Sequence, residues 1–314
     1  MKRMLNTLYV TTQNAYLARD GDTVAVRVDK ETRLRVPLLT LDGIVCMGRV
    51  SCSPALMATC GERDVAITWL TEHGRFLGRF IGPTTGNVLL RRAQYRRTDD
   101  EAAAAAVARP ILLAKIANSR TVLQRALRDH GDDDSGPPLA EAARRLALMA
   151  RAMPEDASLD MLRGLEGDAA REYFSVFDYL IVAQKPDFAF NGRNRRPPLD
   201  PVNALLSFLY SVLAHDCVSA LESVGLDPQV GFLHRDRPGR PSLALDVMEE
   251  LRPVLADRVA LSIINRKQVQ PQGFKTTESG AVVMDDDTRK ALLVAYQTRK
   301  QEELQHPFLD EKVP

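Results

Sequence analysis

The chain has 314 residues, of which 45% are hydrophobic, and its net charge at pH 7 is +1. This length exceeds that of one usual compact domain, the apolar content supports sizeable cores, and the charge balance gives no whole-chain signature of nucleic-acid binding. Four cysteines without CxxC or zinc-ribbon spacing predict reduced, mostly buried thiols in a cytoplasmic protein. The N-terminus lacks a secretory signal, and no window is expected to resemble a membrane span.

Short β-branched or alternating runs predict a β-rich domain over residues 1–90. The runs lie at 23–28, 34–41, 43–47, 64–70 and 76–81. A short helix is predicted to begin with Ser53 as its N-cap and Pro54 as its first residue, and to end near Gly61. This part offers no constellation of catalytic groups, which indicates a structural or interaction module.

From about residue 91 the pattern becomes helical, which predicts a larger all-α domain over 91–314 and an α+β protein overall. Residues 101–109 begin a run of helices, and Pro110 is expected early in the next one. Arginines outnumber lysines more than threefold and cluster at 91–97, 193–196 and 235–240. Arginine suits bidentate phosphate contacts, so these clusters are candidate DNA-backbone contacts, whereas a solvated helix face is the alternative for 91–97.

Residues 158–177 predict a helix that carries Glu166 in the middle of its apolar face. That face consists of Leu162, Ala169, Ala170, Tyr173 and Phe177. An ionised carboxylate there is costly unless a cation meets it, which leaves a metal ion or an internal salt bridge to an arginine. Gly164 and Gly167 flank the acid, which suggests the close approach of another backbone or a ligand.

A proline-ended basic loop at 190–200 contains Arg195 and Arg196, which are candidates to grasp a phosphate. A long helix follows from Asp200, the predicted N-cap, towards Gly225. Tyr210 lies on this helix; it is either packed inside the fold or contacts DNA. Lys267, in a later loop, either contacts DNA or keeps that loop soluble.

Residues 231–253 combine a histidine, two acids and a basic turn that contains Arg235 and Arg240. A helix is expected to begin with Ser242 as its N-cap and to stop at Pro253. At 100° per residue, Asp246 and Glu249 lie about 60° apart on the face opposite the apolar residues, where they can reach one ion together. Such a pair is more often a solvated face, and Glu250 is a geometric alternative to Glu249.

His234 lies just upstream of these acids, in a loop that can bring its imidazole towards them. One nitrogen and two carboxylates beside an arginine-lined turn suit a hard divalent metal that handles a phosphodiester. The paired acids and the histidine come from two neighbouring segments, and Glu166 supplies a ligand from a third. This combination favours a metal over a salt bridge at Glu166.

Three motifs, in this order, resemble the CRISPR-associated integrase, the metal-dependent DNA endonuclease that inserts new spacers into CRISPR arrays. They are Gly-Leu-Glu-Gly-Asp-Ala-Ala-Arg-Glu-Tyr-Phe at 164–174, the segment at 195–210 and the segment at 231–253. The opening residues 5–17 resemble the first strands of the family's type I-C branch. The resemblance covers nearly the whole chain, and family members often run beyond the position of Pro314, which suggests a truncated C-terminus.

The resemblance implies that Glu166, His234 and Glu249 bind Mn²⁺ or Mg²⁺ and that Asp246 is a further catalytic acid. It implies a homodimer formed largely by the N-terminal domain, and two such dimers bridged by a small ferredoxin-like subunit. The expected substrates are double-stranded DNA: a spacer precursor and the CRISPR repeat, whose phosphodiesters are attacked by a 3′-hydroxyl. No membrane is implicated.

Two other functions share these residues. One is a general, structure-specific, metal-dependent DNA nuclease that cuts without integrating. The other is a non-catalytic DNA-binding scaffold whose acids form internal salt bridges. Strand transfer into a repeat-containing plasmid tests the first alternative, and metal titration tests the second.

Overall fold

The computed structural model describes residues 6–83, 88–130, 134–305 and 312–313. The chain divides into two compact units: one consists of Met1–Gly86 and Arg289–Pro314, and the other of Asn87–Thr288. The first contains most of the strands and the second is mostly helical, which confirms the predicted α+β class. The predicted division at residue 90 differs from this one at the C-terminal end, because residues 289–314 belong to the first unit.

Two four-stranded sheets and one helix form the N-terminal part of the first unit. The elements are β1 (Thr7–Val10), β2 (Tyr16–Asp20), β3 (Thr23–Val28), β4 (Glu31–Pro37), β5 (Gly43–Met47), β6 (Ser51–Cys52), α1 (Pro54–Glu62), β7 (Ala66–Leu70) and β8 (Phe76–Phe80). The sheets have the orders β1-β5-β7-β8 and β4-β3-β2-β6. In the first sheet, β1, β5 and β7 are parallel and β8 is antiparallel; in the second, β2, β3 and β4 are antiparallel and β6 runs parallel to β2.

The predicted start of α1 is confirmed, because Ser53 Oγ accepts a hydrogen bond from the Leu56 backbone N–H at 3.2 Å. Leu17, Val24, Ile44 and Ile67 from the two sheets are buried in one apolar core with α1. Alternating residues on each strand therefore meet inside the unit, as the sequence pattern predicted.

In the described residues from 88 onwards, α-helices and one pair of short strands precede the helix at 286–301. They are α2 (Val88–Asp99), α3 (Glu101–His130), α4 (Gly136–Ala152), α5 (Leu159–Ser175), α6 (Pro201–Ser223), α7 (Ser242–Leu251), α8 (Arg258–Asn265), β9 (Phe274–Thr276) and β10 (Val282–Met284). The last helix is α9 (Asp286–Gln301), most of which belongs to the first unit, as do the paired strands β11 (Leu304–Gln305) and β12 (Lys312–Val313). The antiparallel pair β9–β10 corrects the prediction that this part is all-α.

The helix α3 is the scaffold of the second unit and packs against α4, α5 and α7. It continues through Pro110, where the sequence predicted a boundary between helices. A proline interior to a helix removes one hydrogen bond and crowds the preceding turn. The helix nevertheless remains continuous, because side chains on both sides of the proline, such as Ala108 and Leu112, are fully buried.

The expectation that no segment resembles a membrane span is wrong for α6, which is long and apolar enough to cross a bilayer. Half of that apolar segment is buried inside the fold. Its Asn203 is fully buried, and the side-chain amide donates to Gly192 O at 2.9 Å. Because α6 also packs against α7 and α8, it is a core helix of the second unit.

Candidate metal and phosphodiester site

The helix α7 forms where the sequence placed it, but both of its ends differ from the prediction. Pro241 precedes the helix without a side-chain cap, and the Ser242 hydroxyl instead donates to Arg235 O at 3.2 Å. Pro253 does not stop the helix, because a π-helical turn (Arg252–Asp257) continues it into α8. A wider turn accommodates the proline ring, which would crowd the carbonyl of an α-helical turn.

Both acids of α7 lie inside the protein rather than on a solvated face. Asp246 is 0% exposed and Glu249 is 1% exposed. The sequence placed them opposite the core, which is wrong because α7 packs against both α3 and α6. A buried carboxylate requires partners, and the two acids have different ones.

Asp246 holds the histidine loop in place. Its Oδ2 accepts the backbone N–H of Phe232 at 2.6 Å and that of Leu233 at 3.0 Å. Its Oδ1 accepts the backbone N–H of His234 at 2.9 Å and lies 2.7 Å from His234 Nδ1. All four contacts are made to the loop that carries His234.

This contact also sets the histidine tautomer. An ionised carboxylate only accepts hydrogen bonds, so Nδ1 of His234 carries the hydrogen and Nε2 of the neutral ring has a free lone pair. That Nε2 lies 3.8 Å from Glu249 Oε1. The imidazole therefore presents a potential metal ligand to Glu249, while Asp246 acts through the histidine.

The two glutamates meet at a lysine that the sequence analysis did not identify. Lys115 Nζ, from the middle of α3, forms an ion pair with Glu166 on α5 and lies 2.6 Å from Glu249 Oε2 on α7. The lysine side chain is only 9% exposed, against 29% for that of Glu166. The predicted alternative of a salt bridge at Glu166 is thus present, with lysine rather than arginine as the cation.

A second cation holds the other oxygen of Glu249. Arg252 Nη1 lies 2.7 Å from Glu249 Oε1, one helical turn away. Burial alone would raise the pKa of Glu249, but Arg252 and then Lys115 outweigh burial and hold this pKa below its usual value. Glu249 is therefore an ionised carboxylate between two cations.

Arg252 also links the site to a buried acid on the π-helical turn. The ring of Tyr210 lies 5.0 Å from the guanidinium of Arg252 and 5.0 Å from that of Arg193. The Tyr210 hydroxyl donates to Asp257 Oδ1 at 2.7 Å. Burial raises the pKa of Asp257 to about 6, even though the Tyr210 hydrogen bond and the arginines lower it. Tyr210 thus has an internal partner.

The flanking glycines of Glu166 do not mark a close approach within the chain. A Cβ built on Gly164 or Gly167 would meet nothing within 4 Å. The suggestion that another backbone approaches is wrong, and open space lies beside the partly exposed Glu166 instead. The close approach occurs at Gly231, where a Cβ would lie 2.7 Å from the Ser242 backbone carbon.

Of the six candidate DNA contacts named singly, four are exposed, namely Arg195, Arg196, Arg235 and Lys267. Arg235 Nη2 lies 2.9 Å from Asp160 Oδ1 in an exposed ion pair. The Arg240 guanidinium donates to Arg235 O, so it stabilises its own turn. Arg240 therefore has a structural role in the turn, whereas the four exposed side chains are open to solvent.

The donor set fits a divalent ion with one rearrangement. Among the residues that the structure describes, no three His, Cys, Asp or Glu side chains are gathered so as to hold a metal ion as they stand. Glu166 and Glu249 nevertheless converge on one cation, the Lys115 ammonium, and His234 Nε2 faces Glu249. Two carboxylates and a neutral imidazole suit Mn²⁺ or Mg²⁺ once the ammonium moves aside.

The residues missed at the sequence level are Lys115, Arg252 and Asp257. Lys115 lies in an alanine-rich helix, and its isolated position in an apolar face is the only local signal. Arg252 was available as the basic residue three positions after Glu249, a spacing at which side chains on a helix meet. Asp257 gave no signal, because the sequence predicted a break at Pro253.

Known proteins resemble the chain over its full length. The sequence model of the family described as CRISPR associated protein Cas1 matches residues 8–298. The CRISPR-associated endonuclease Cas1 1 of Chlorobaculum tepidum is 54% identical over 313 residues, covering 100% of this chain and 91% of the relative. The CRISPR-associated endonuclease Cas1 2 of Rhodospirillum rubrum is 52% identical over 320 residues, covering 100% and 92%.

Solved structures share the fold. A CAS1 protein from Thermotoga maritima matches with a TM-score of 0.79 and 23% identity, covering 95% of this chain and 91% of that one. A casposase bound to an integration product matches with a TM-score of 0.80 and 22% identity, covering 96% and 84%. The relatives' names specify no branch, so the type I-C assignment stays a prediction. The chain belongs to the CRISPR associated protein Cas1 family.

Proposed function

We propose that this protein is a metal-dependent DNA endonuclease and integrase that inserts new spacers into a CRISPR array. The observation that supports it most is the convergence of Glu166 and Glu249 on one cation position, with His234 Nε2 facing Glu249 at 3.8 Å. The full-length similarity to endonucleases that are 54% and 52% identical supports the nuclease part. The resemblance of the three motifs supports integration.

The proposed ligands of the ion are the carboxylates of Glu166 and Glu249 and Nε2 of His234. When bound, Mn²⁺ or Mg²⁺ supplies charge neutralisation at the scissile phosphate. Asp246 is a positioning residue, because it holds the imidazole tautomer and the loop backbone. Exposed Arg195, Arg196, Arg235 and Lys267 are proposed to hold the DNA backbone, and Tyr210 is proposed to act through its packing rather than by direct contact.

The proposed reaction is phosphoryl transfer on double-stranded DNA. In integration, the 3′-hydroxyl oxygen of the incoming spacer precursor bonds to a phosphorus of the CRISPR repeat as that phosphorus loses its bond to the repeat's own oxygen. In simple cleavage, water replaces the hydroxyl. Glu166 is the ligand nearest to solvent, and the open space beside Gly164 and Gly167 gives DNA a route to it.

We also propose that the protein is cytoplasmic, forms a homodimer and assembles with a small ferredoxin-like subunit. One similar solved structure is a Cas6-RT-Cas1--Cas2 complex, which is 25% identical to this chain. The match covers 99% of this chain and 33% of that one, with a TM-score of 0.78. A purified dimer that transfers strands only when the small subunit is added would agree with this assembly.

One observation favours the non-catalytic alternative. Glu166 and Glu249 both pair with Lys115, as a salt-bridged DNA-binding scaffold requires. A pure salt-bridge network needs no ion, so it would not be stabilised by Mn²⁺. The Tm with and without Mn²⁺ separates the two functions, and a Tm that does not move supports the scaffold.

Cleavage of DNA by site variants tests the proposed function. Glu166→Gln, His234→Ala and Glu249→Gln are expected to abolish Mn²⁺-dependent cleavage while leaving a folded protein that binds DNA. Asp168→Asn is the matched control, because this exposed acid lies two residues from Glu166 and pairs with Arg171 only on the surface. Full activity in all three site variants would remove the assignment.

Strand transfer separates the integrase from a general nuclease. The assay uses a supercoiled plasmid that contains a CRISPR repeat, a short duplex with free 3′ ends and the small partner subunit. An integrase joins the duplex to the plasmid at the repeat. Cutting without joining, under conditions in which the wild-type protein binds both DNAs, would favour the general nuclease.

A further inference from the structure

A buried lysine lies at the centre of the site. Lys115 is in the middle of α3, between the buried residues Ala114 and Ile116. Lysines are almost never buried without anionic partners, because removing an ammonium from water is costly. Here the partners come from two other helices, Glu166 on α5 and Glu249 on α7. One ammonium thus joins three helices at one point.

The contact with Glu249 has room for a different cation. Glu249 Oε2 lies 2.6 Å from Lys115 Nζ, in an ion pair with a flexible side chain from another helix. The other oxygen is held by Arg252 at 2.7 Å and faces His234 Nε2 at 3.8 Å. The oxygen that faces Lys115 is therefore the one whose partner can be exchanged.

Charge counting shows that the lysine and a divalent ion exclude each other. Glu166 and Glu249 carry two negative charges, and Lys115 and Arg252 carry two positive ones. A divalent ion added between the glutamates would leave these four side chains at +2 and bring it into contact with the nearly buried ammonium, where repulsion is stronger than in water. The ammonium must therefore leave when the ion enters, and its flexible four-carbon stem permits this.

We propose that Lys115 is a tethered cation that occupies the metal position in the metal-free protein and is displaced when a divalent ion binds. This inference rests on the proposed metal site of Glu166, His234 and Glu249. In the metal-free protein, Lys115 keeps the two carboxylates together. The same contacts weaken metal binding, because two ion pairs are lost each time the ion enters.

Mn²⁺ binding by a charge-free variant tests the proposal. Lys115→Met keeps the length of the stem and removes the charge. Its dissociation constant for Mn²⁺, measured by calorimetry or by the EPR signal of free Mn²⁺, is expected to fall at least tenfold, equivalent to about 1.4 kcal/mol. Lys185→Met is the control, because Lys185 forms a half-exposed pair with Asp178, at 3.3 Å, outside this cluster.

Labelling of the wild-type protein gives a second measurement that needs no variant to fold. Acetylation by an amine-reactive reagent, followed residue by residue by mass spectrometry, is expected to be slow at Lys115 without metal. Saturating Mn²⁺ should increase the rate at Lys115 at least threefold and leave Lys185 unchanged.

The outcomes separate this inference from the proposed function. Wild-type protein that binds Mn²⁺, with Lys115→Met binding no more tightly and Lys115 labelling unaffected by Mn²⁺, refutes the tethered cation and leaves the metal site standing. Failure of both proteins to bind Mn²⁺ refutes the metal site itself. Tighter binding by the variant together with faster labelling of the wild type establishes the exchange.

Discussion

Asp246→Asn is expected to cost about 3–6 kcal/mol, because every hydrogen-bonding position on this carboxylate is used by a donor. Each of its two oxygens faces two N–H groups of the loop at 232–234, at distances of 2.6–3.0 Å. An asparagine must turn its NH₂ towards one of these pairs, so that two donors face a donor. Hydrogen bonds to a charged acceptor contribute about 1.5–3 kcal/mol each, and two of them are lost.

The measurement combines urea unfolding with hydrogen exchange. The free energy of unfolding gives the total cost, and the backbone amides of Phe232, Leu233 and His234 report the loss at the loop itself. Cleavage should fall in the same variant, because the imidazole loses the group that orients Nε2 towards Glu249.

Asp100→Asn is the matched control for this substitution. Asp100 Oδ1 also accepts two backbone N–H groups, those of Ala102 at 3.0 Å and Ala103 at 3.1 Å, but at the exposed start of α3. Asparagine caps a helix about as well as aspartate, so the cost there should be within about 0.5 kcal/mol. An Asp246→Asn cost below about 1 kcal/mol, with unchanged exchange at 232–234, would contradict the assigned role.

Four further substitutions test the surroundings of the site. Gly231→Ala should lower the free energy of unfolding in urea by about 1–3 kcal/mol, because its Cβ would lie 2.7 Å from the backbone at the start of α7. Gly167→Ala on α5 is its control, because a Cβ there meets open space and should raise the free energy of unfolding by up to about 1 kcal/mol. Gln94→Ala should cost about 2–3 kcal/mol, because this buried amide makes three hydrogen bonds with backbone groups at 227 and 230; preserved stability would show that these bonds are dispensable. The pKa of Asp257 is raised from 3.8 to about 6 in the folded state, so the folded protein binds this proton more tightly than the unfolded chain does. The stabilisation that this proton provides is therefore lost as the pH rises from about 4 to 6. The stability of wild type relative to Asp257→Asn should therefore fall by up to about 3 kcal/mol between pH 4 and pH 7, and a difference that does not change with pH would contradict the raised pKa.

The N-terminal strands could be predicted from sequence because alternation is a local signal. The runs at 23–28 and 43–47 coincide with β3 and β5, and α1 begins at the predicted Ser53 cap. In the second unit, the positions of α5, α6 and α7 were predicted because helical spacing is also a local signal. The pairing of parallel β1, β5 and β7 was not, because it depends on contacts between distant residues.

At the site, the sequence identified the acids and the histidine but not their surroundings. Helical projection places Asp246 and Glu249 correctly relative to each other, but it contains no information on which helices pack against that face. Lys115 is 51 residues from Glu166, and only the packing of α3 against α5 and α7 brings them together. Tertiary contacts therefore decided both the burial of the acids and the identity of their cations.

The two acids of α7 have different roles in the site because their partners differ in kind. Asp246 is satisfied by loop hydrogens and by an imidazole, so any movement of this carboxylate would disorder the loop that carries His234. Glu249 is satisfied by two cationic side chains, Lys115 and Arg252, rather than by backbone groups. An incoming ion therefore competes with Lys115 for Glu249, while the hydrogen bonds of Asp246 hold the His234 imidazole in position beside Glu249.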